Sequence, residues 1–480
     1  MRFKSQIFFA AVFALLAASR LCHVGVLWAE ETLPLATAEQ MANGKMLYRD
    51  LWFDKPPMVA MLPLVWGGRD GWPLRLAGAL YGMLACWLAF RFGRDLWSAR
   101  EGYWAAGLLG FFLIFDFPSA ALPLASDLLL LAPHLAAVWL AWKCRPFACG
   151  AVLGVAFLIS PKALFVAAAC ALWMPGGVLW MPAGFVAVCG SAAAGLAAVG
   201  ALRDYWDQVW HWGAIYASAP FLENPLWNGV LRTAGWVGFH LSPLAAALWY
   251  FARGRKSGER PTPLRWAGWC ALSLLGVAAG WRFFPRYYFL LLPLLVLAAA
   301  RGFALLNRKR IWVAGLLLVP LIRFGPRYAQ LAAGETAWAD TAMDRSSRGA
   351  AALVRPLTHA GDTLFVWGFR PELYVYTGLP AANRFLDSQP LTGVPADRHL
   401  TQSMPVETVG AQAHRAELAR SAPTFIIDGL GLYNPRLALP RYPDLREWLS
   451  RYQEVGQVGG CVIYRLAVVP NPVPGRAPNR

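Results

Sequence analysis

From residue 6 to residue 323 the sequence is a succession of apolar windows, near 6–28, 57–92, 102–117, 122–142, 147–160, 163–175, 178–201, 227–251, 265–282, 286–305 and 311–323. A helix needs ~20 apolar residues to cross a bilayer core. Inside that core every backbone N–H and C=O must be satisfied by the chain itself. The pattern therefore predicts a polytopic α-helical membrane protein with about eleven crossings. The short windows around Ser160 and Pro175 read as broken or tilted half-spans. Composition agrees: 58% of residues are hydrophobic, 15% are charged and the mean hydropathy is +0.42. The first window has the basic start and apolar run of a signal peptide. Its apolar character resumes after Arg20 and continues to Trp28, which favours an uncleaved span.

A net charge of +17 would fit a nucleic-acid binder, but the basic residues fall in short clusters between apolar windows. These are Arg91, Arg94 and Arg100; Lys143 and Arg145; Arg253, Arg255, Lys256 and Arg260; and Arg301, Arg308, Lys309 and Arg310. With a cytoplasmic N-terminus all of them fall inside, as the positive-inside rule requires, and the tail after Arg323 falls outside. No basic face with stacking aromatics is present, which excludes nucleic acid as a partner. The eight cysteines, seven of them in or beside apolar windows, outline neither a disulfide framework nor a zinc knuckle.

The membrane domain, residues 1–333, carries two longer outside loops, 29–57 and 202–226. In the first, Leu35, Ala38, Met41 and Ala42 predict a short amphipathic helix on the membrane surface, ended by Asn43-Gly44. The second, rich in Trp and Tyr, predicts an interfacial helix. From about Gly334 the chain turns polar, with strand candidates DTLFVWG, TFIIDG and CVIYRLAVV. Helix candidates are ETVGAQAHRAELARSA and the stretch Asp444 to Tyr452. Together they predict a soluble extracytoplasmic α/β domain over 334–469, followed by a disordered Pro-rich tail, 470–480.

Charged residues concentrate in the first loop, where WAEET places Glu30 and Glu31 at the end of the first window and LYRDLWFDKPP follows. Proline fixes its own backbone and restricts the residue before it, so Pro56 and Pro57 hold Lys55 at a defined point. Here the sequence resembles the GT-C glycosyltransferases that use polyprenyl-phosphate sugars, in particular the family 39 group of protein O-mannosyltransferases and lipid A aminoarabinose transferases. That group carries an Asp-Glu pair after the first span and, about sixteen residues on, a Y-R-D-x-x-x-x-K-P-P element. Tyr48-Arg49-Asp50 and Lys55-Pro56-Pro57 match it at the same spacing from Glu31. Weaker matches are ISPKAL with Lys162, FPRYYFLLLP with Arg286 and Tyr287, and VWGFRPELYVYTG in the tail. One departure is that Glu30 stands where the group has its Asp base, which leaves either Glu30 or Glu31 as the base.

The resemblance implies a GT-C fold and an inverting transfer of a sugar from a polyprenyl phosphate to an acceptor hydroxyl, at the outer face of a bacterial cytoplasmic membrane. Such a reaction needs a carboxylate base and cations for the departing phosphate. Glu30, Glu31 and Asp127 are the expected catalytic acids, with Asp127 favoured over Asp116. Lys55, Lys162 and Arg286 are the expected phosphate ligands, and Tyr48, Asp50 and Tyr287 the expected substrate contacts. Asp54 and His211 form a sparse pair for a divalent metal, the one cofactor the resemblance leaves open. In the tail, Arg370, Glu372, Tyr374 and Tyr376 near a strand end read as a hydrogen-bonded turn, favoured over contacts to acceptor or sugar. The acceptor, whether glycolipid, polysaccharide or protein, is not specified. Rival readings are a transporter or lipid flippase, a polysaccharide polymerase or ligase, and a non-catalytic scaffold displaying the tail.

Overall fold

A computed structural model describes the chain apart from residues 1, 175, 219–222, 255–260, 402–408 and 468–480. The predicted disordered tail, part of the second outside loop and the cluster Arg255, Lys256 and Arg260 lie outside the described residues. The chain divides into two compact units, Met1–Ala342 and Met343–Arg480.

In the first unit each apolar window contains helix, but Pro and Gly cut the windows into shorter pieces than hydropathy alone implies. The main helices are α1 (Arg2–Leu21), α2 (Ala29–Ala42), α3 (Trp72–Leu96), α4 (Ala99–Phe112), α5 (Leu131–Trp142), α6 (Pro146–Phe157), α7 (Ala163–Trp173), α8 (Trp180–Ala198), α9 (Pro225–Phe239), α10 (Leu241–Trp249), α11 (Pro263–Ala278), α12 (Leu292–Leu305) and α13 (Leu318–Ala332). The window 57–92 is no single span: a short helix, Met58–Met61, and a 3₁₀ turn, Leu62–Trp66, end at Gly67 and Gly68. Both glycines have positive φ, 75° and 66°, a conformation costly for any residue with a Cβ. The window 227–251 breaks at His240.

Among the described residues, two helices are long and apolar enough to cross a membrane by length and composition, α3 and α8. A third counts if the pair Asn307–Gly315 and Leu318–Ala332, bent by 43°, is one span. Six more apolar helices have 10–17 residues. The sequence-based count of about eleven crossings is thus not reproduced by helix length. The reason is that apolar windows here run through turns such as Ser160-Pro161 and Gly67-Gly68. α8 carries Trp180 and Val186 66% and 63% exposed, apolar surface of the kind that meets a membrane or another protein.

Helix packing relies on small residues. A Cβ at Gly150 of α6 would lie 1.8 Å from the Met181 carbonyl oxygen, and one at Gly184 of α8 would lie 2.0 Å from that of Phe147. The α6–α8 crossing therefore tolerates only glycine at both points, the close approach typical of helices that associate without a hydrophobic drive. The predicted surface helix in the first loop exists as α2 and ends at Asn43-Gly44, but it is not a surface helix. Thr32, Leu33, Leu35, Ala36, Thr37 and Ala38 are all buried, so the helix is covered on more than one face. In the second outside loop, Leu202–Tyr205 and Trp212–Ser218 flank a π-helical turn, Trp206–His211.

The second unit is built on a four-stranded sheet of β1 (Leu364–Trp367), β2 (Phe425–Asp428), β3 (Tyr452–Val458) and β4 (Cys461–Leu466), in the order β1-β2-β4-β3. β1 and β2 are parallel, and the other two pairings are antiparallel. β1 and β2 are buried along their whole length, as their uninterrupted apolar sequence requires. The predicted helix from Asp444 to Tyr452 reduces to a 3₁₀ turn and Arg446–Leu449, after which Tyr452 begins β3. Strand β3, YQEVGQV, exposes Gln453, Glu454, Val455 and Gln457 and so lacks the regular apolar pattern that would signal a strand.

Candidate active site

α2 begins directly after Trp28, so both glutamates fall in its first turn. That is where the helix dipole favours carboxylates. The two side chains then part. Glu31 is 1% exposed and locked in a fork with Arg75, whose Nη1 lies 3.1 Å from Oε2 while Nη2 contacts Oε1. Its remaining acceptor positions take the backbone N–H groups of Trp28 at 3.2 Å and Leu124 at 3.3 Å. Burial raises the Glu31 carboxyl above its ordinary range, against the pull of Arg75 and the two backbone donors. Every lone pair of Glu31 is occupied by the protein itself, leaving nothing to face a substrate.

Glu30 has a different environment. Its Oε1 accepts from Arg286 Nη1 at 2.6 Å, with side chains 20% and 25% exposed. Arg286 Nε lies 3.3 Å from Asp127 Oδ2, and Asp127 Oδ1 accepts from Lys162 Nζ at 2.7 Å. The Lys162 ammonium stands 3.0 Å from the centre of the Tyr287 ring. Five residues expected from the sequence, drawn from four distant segments, thus meet in one chain of contacts: Glu30, Arg286, Asp127, Lys162 and Tyr287. Asp127, Arg286 and Tyr287 also line a small recess with His134 and the leucines Leu130 and Leu131.

Local sequence explains how each charge is held. Pro161 follows Ser160 at the break between α6 and α7, so Lys162 becomes the cap of α7. Pro285 opens a 3₁₀ turn, Pro285–Leu290, that presents Arg286 and Tyr287 before α12. Asp127 lies in the first turn of the short helix Ser126–Leu129. Helix starts are suited to anions, and Glu30 and Asp127 each stand in a first turn. Burial lowers the Lys162 pKa to about 8, with Asp127 opposing the shift.

The Tyr48 to Pro57 loop supports the cluster without joining it. Lys55 Nζ pairs with Asp54 Oδ1 at 2.6 Å, and its side chain is 29% exposed. The backbone N–H of Met58 donates to the Leu158 carbonyl at 3.0 Å, tying the loop's end to the stretch that leads to Lys162. Tyr48, buried and at φ 66°, donates its hydroxyl to the Lys55 carbonyl at 2.8 Å. Asp50 accepts the Met46 N–H at 2.9 Å and forks with Arg49, which holds its carboxyl below the usual range. Both side chains shape the loop, and neither reaches the cluster. His211 is exposed, and Asp54 already has a lysine partner. Among the described residues no group of three or more His, Cys, Asp or Glu is gathered for a metal ion.

Asp116, the competitor of Asp127, is buried away from this cluster, with its Oδ2 3.6 Å from His240 Nε2 and its Oδ1 accepting from Phe117 N. In the second unit Arg370 and Glu372 are fully buried, Arg370 bonding Ser346 and Ser347 and Glu372 accepting from Ser347, as a structural turn requires. Sequence reasoning missed Arg75, Gln208 and His134. Arg75 was detectable as a charged residue inside a long apolar helix, which needs a partner. Gln208 bridges the loop, accepting from Phe53 N at 2.8 Å and donating to Tyr48 O at 2.9 Å, and nothing in its local sequence marks it. His134 accepts from Trp269 Nε1 at 2.9 Å through its Nε2.

A helical unit followed by a small α/β unit is the GT-C fold, and the chain has that fold. It is shared with ArnT from Cupriavidus metallidurans, in a crystal structure of the apo state (TM-score 0.58, 15% identity, 96% of this chain and 98% of that one). A crystal structure of ArnT bound to undecaprenyl phosphate matches equally (TM-score 0.57, 15% identity, 96% and 97%). The oligosaccharyltransferase AglB from Archaeoglobus fulgidus also matches, at 11% identity over 98% of this chain and 75% of that one, with a TM-score of 0.45. No family model and no curated protein sequence matches.

Proposed function

We propose that this protein is an inverting glycosyltransferase that moves a sugar from a polyprenyl-phosphate donor to an acceptor hydroxyl at the outer face of a bacterial cytoplasmic membrane. The observation that carries this reading is the Glu30–Arg286–Asp127–Lys162 chain, two carboxylates and two cations in partly open contact. The shared fold with a protein solved with undecaprenyl phosphate supports the donor class.

In this reading Glu30 is the base. It takes the proton of the acceptor hydroxyl as that oxygen bonds to the anomeric carbon. The bond from that carbon to the phosphate oxygen breaks, and the lipid phosphate leaves with the electron pair. Lys162 and Arg286 stabilise the charge that develops there, with Lys55 as a third cation at the rim. Asp127 keeps both cations in place before the donor arrives. The quartet is electrically balanced, so a phosphate competes with the carboxylates for the same donors. Its arrival draws Arg286 away and leaves Glu30 free to accept a proton.

The test is turnover by purified protein of a panel of polyprenyl-phosphate sugars with membrane extract as acceptor source, comparing wild type with Glu30→Gln, Glu31→Gln and Lys55→Ala. Equal turnover by all four removes the catalytic assignment. Turnover only with diphosphate-linked donors moves the protein to the polymerase or ligase class.

A further inference from the structure

The first turn of α2, which carries Glu30, is fixed from outside by a group near the end of the first unit. Trp28, the residue that caps α2, is 2% exposed, and its indole N–H donates to Asp340 Oδ2 at 3.2 Å. Asp340 is gripped in turn by Arg327, whose Nη1 lies 3.0 Å from Oδ1 and 2.9 Å from Oδ2. Arg327 Nε donates to His23 Nε2 at 3.1 Å, and His23 Nδ1 donates to the Ser19 carbonyl at 2.9 Å. Two guanidiniums stand near the ring of Trp28, Arg75 at 5.2 Å and Arg327 at 5.9 Å from its centre. The backbone N–H of the same Trp28 donates to Glu31. The cap of α2 is therefore held on one side by the buried Glu31–Arg75 fork and on the other by Asp340.

We propose that Asp340 is a positioning residue: through the Trp28 indole it sets the first turn of α2, and so the place of the Glu30 carboxylate beside Arg286. This rests on the reading of Glu30 as the base. Physically, a carboxylate whose two oxygens share one guanidinium nitrogen is restrained by a charged contact, and an indole has a single N–H. The contact thus fixes both the height and the rotation of the cap. Asp340 stands two residues before the end of the first unit, so the stretch that leads into the second unit belongs to the scaffold of the site.

The experiment uses the full chain in lipid nanodiscs with the donor that the wild type turns over. It compares Trp28→Phe, Asp340→Ala, their double variant, and Asp340→Glu as the conservative replacement, with Glu30→Gln as control. A base displaced by about 1 Å loses on the order of 100-fold in rate, so kcat is expected to fall about 10- to 100-fold in each single variant while KM for the donor stays nearly constant. The double variant is expected to lose no more than the worse single one, because both break the same link. Asp340→Glu is expected to recover part of kcat. Hydrogen exchange, which needs no turnover, is expected to quicken at the amides of Glu31, Thr32 and Leu33 and to stay unchanged in α6. Wild-type kcat with wild-type exchange in α2, multiplicative losses in the double variant, or exchange rising throughout the unit would each overturn the proposal. If Glu30→Gln turns over like wild type, the base assignment falls whatever Asp340 does. If Glu30→Gln is inactive and Asp340→Ala is not, the positioning proposal falls alone.

Discussion

Replacing Glu30 and Glu31 separately by glutamine probes the site most sharply, because neighbouring positions with the same side chain are expected to fail in opposite ways. Glu31 and Arg75 are each 1% exposed, so Glu31→Gln leaves a guanidinium buried without its counter-charge. Breaking one partner of a buried ion pair costs about 3–5 kcal/mol, and the amide, which keeps one acceptor oxygen, places the loss near the lower end. Glu30 is 20% exposed, and Arg286 retains Asp127 at 3.3 Å when Glu30 is neutralised. The stability change there is expected to stay within about 1 kcal/mol, as for pairs in contact with solvent. For activity the order reverses. A general base contributes about 10²- to 10⁴-fold, or about 3–5 kcal/mol in the barrier. Glu30→Gln should therefore lose that much in kcat at nearly wild-type thermal stability. Glu31→Gln should unfold at clearly lower temperature, and its folded fraction should keep a larger share of turnover. The assay is a thermal unfolding scan in detergent paired with donor turnover normalised to folded protein. A stable Glu31→Gln without activity, beside an active Glu30→Gln, would refute the assignment.

Three further outcomes follow from the same geometry. A lysine with its pKa lowered to about 8 is charged below that pH and neutral above it, so kcat/KM, which reports the free enzyme, should fall as pH rises through about 8; in Lys162→Arg that limb should move beyond the measurable range. Arg286→Lys replaces a forked donor with a point charge, and losing one charged hydrogen bond of about 1.5–3 kcal/mol to the departing phosphate should lower turnover roughly 10- to 100-fold, read in the same donor assay. Gly184→Val places side-chain atoms where a Cβ already meets the Phe147 carbonyl at 2.0 Å, and should destabilise the first unit by at least the ~1–3 kcal/mol typical of overpacking, seen as a lower unfolding midpoint.

The sequence by itself determined that this chain is mostly apolar helix with a polar α/β tail, and which acids and bases could carry chemistry. Hydropathy and charge are properties of short stretches, and an element such as Tyr48-Arg49-Asp50 with Lys55-Pro56-Pro57 is legible without its neighbours. Strands β1, β2 and β4 were legible for the same reason, each being an apolar run between turn residues. Tertiary structure decided what no local window contains. It separated Glu31, closed off by Arg75, from Glu30, open beside Arg286, although the two share a side chain and adjoin in the chain. It also chose Asp127 over Asp116 as the acid beside Lys162, and turned the expected surface helix into the buried α2. The cause is common to all three: whether a charge is paired, exposed or buried depends on groups dozens to hundreds of residues away, whose positions are fixed only when the helices pack.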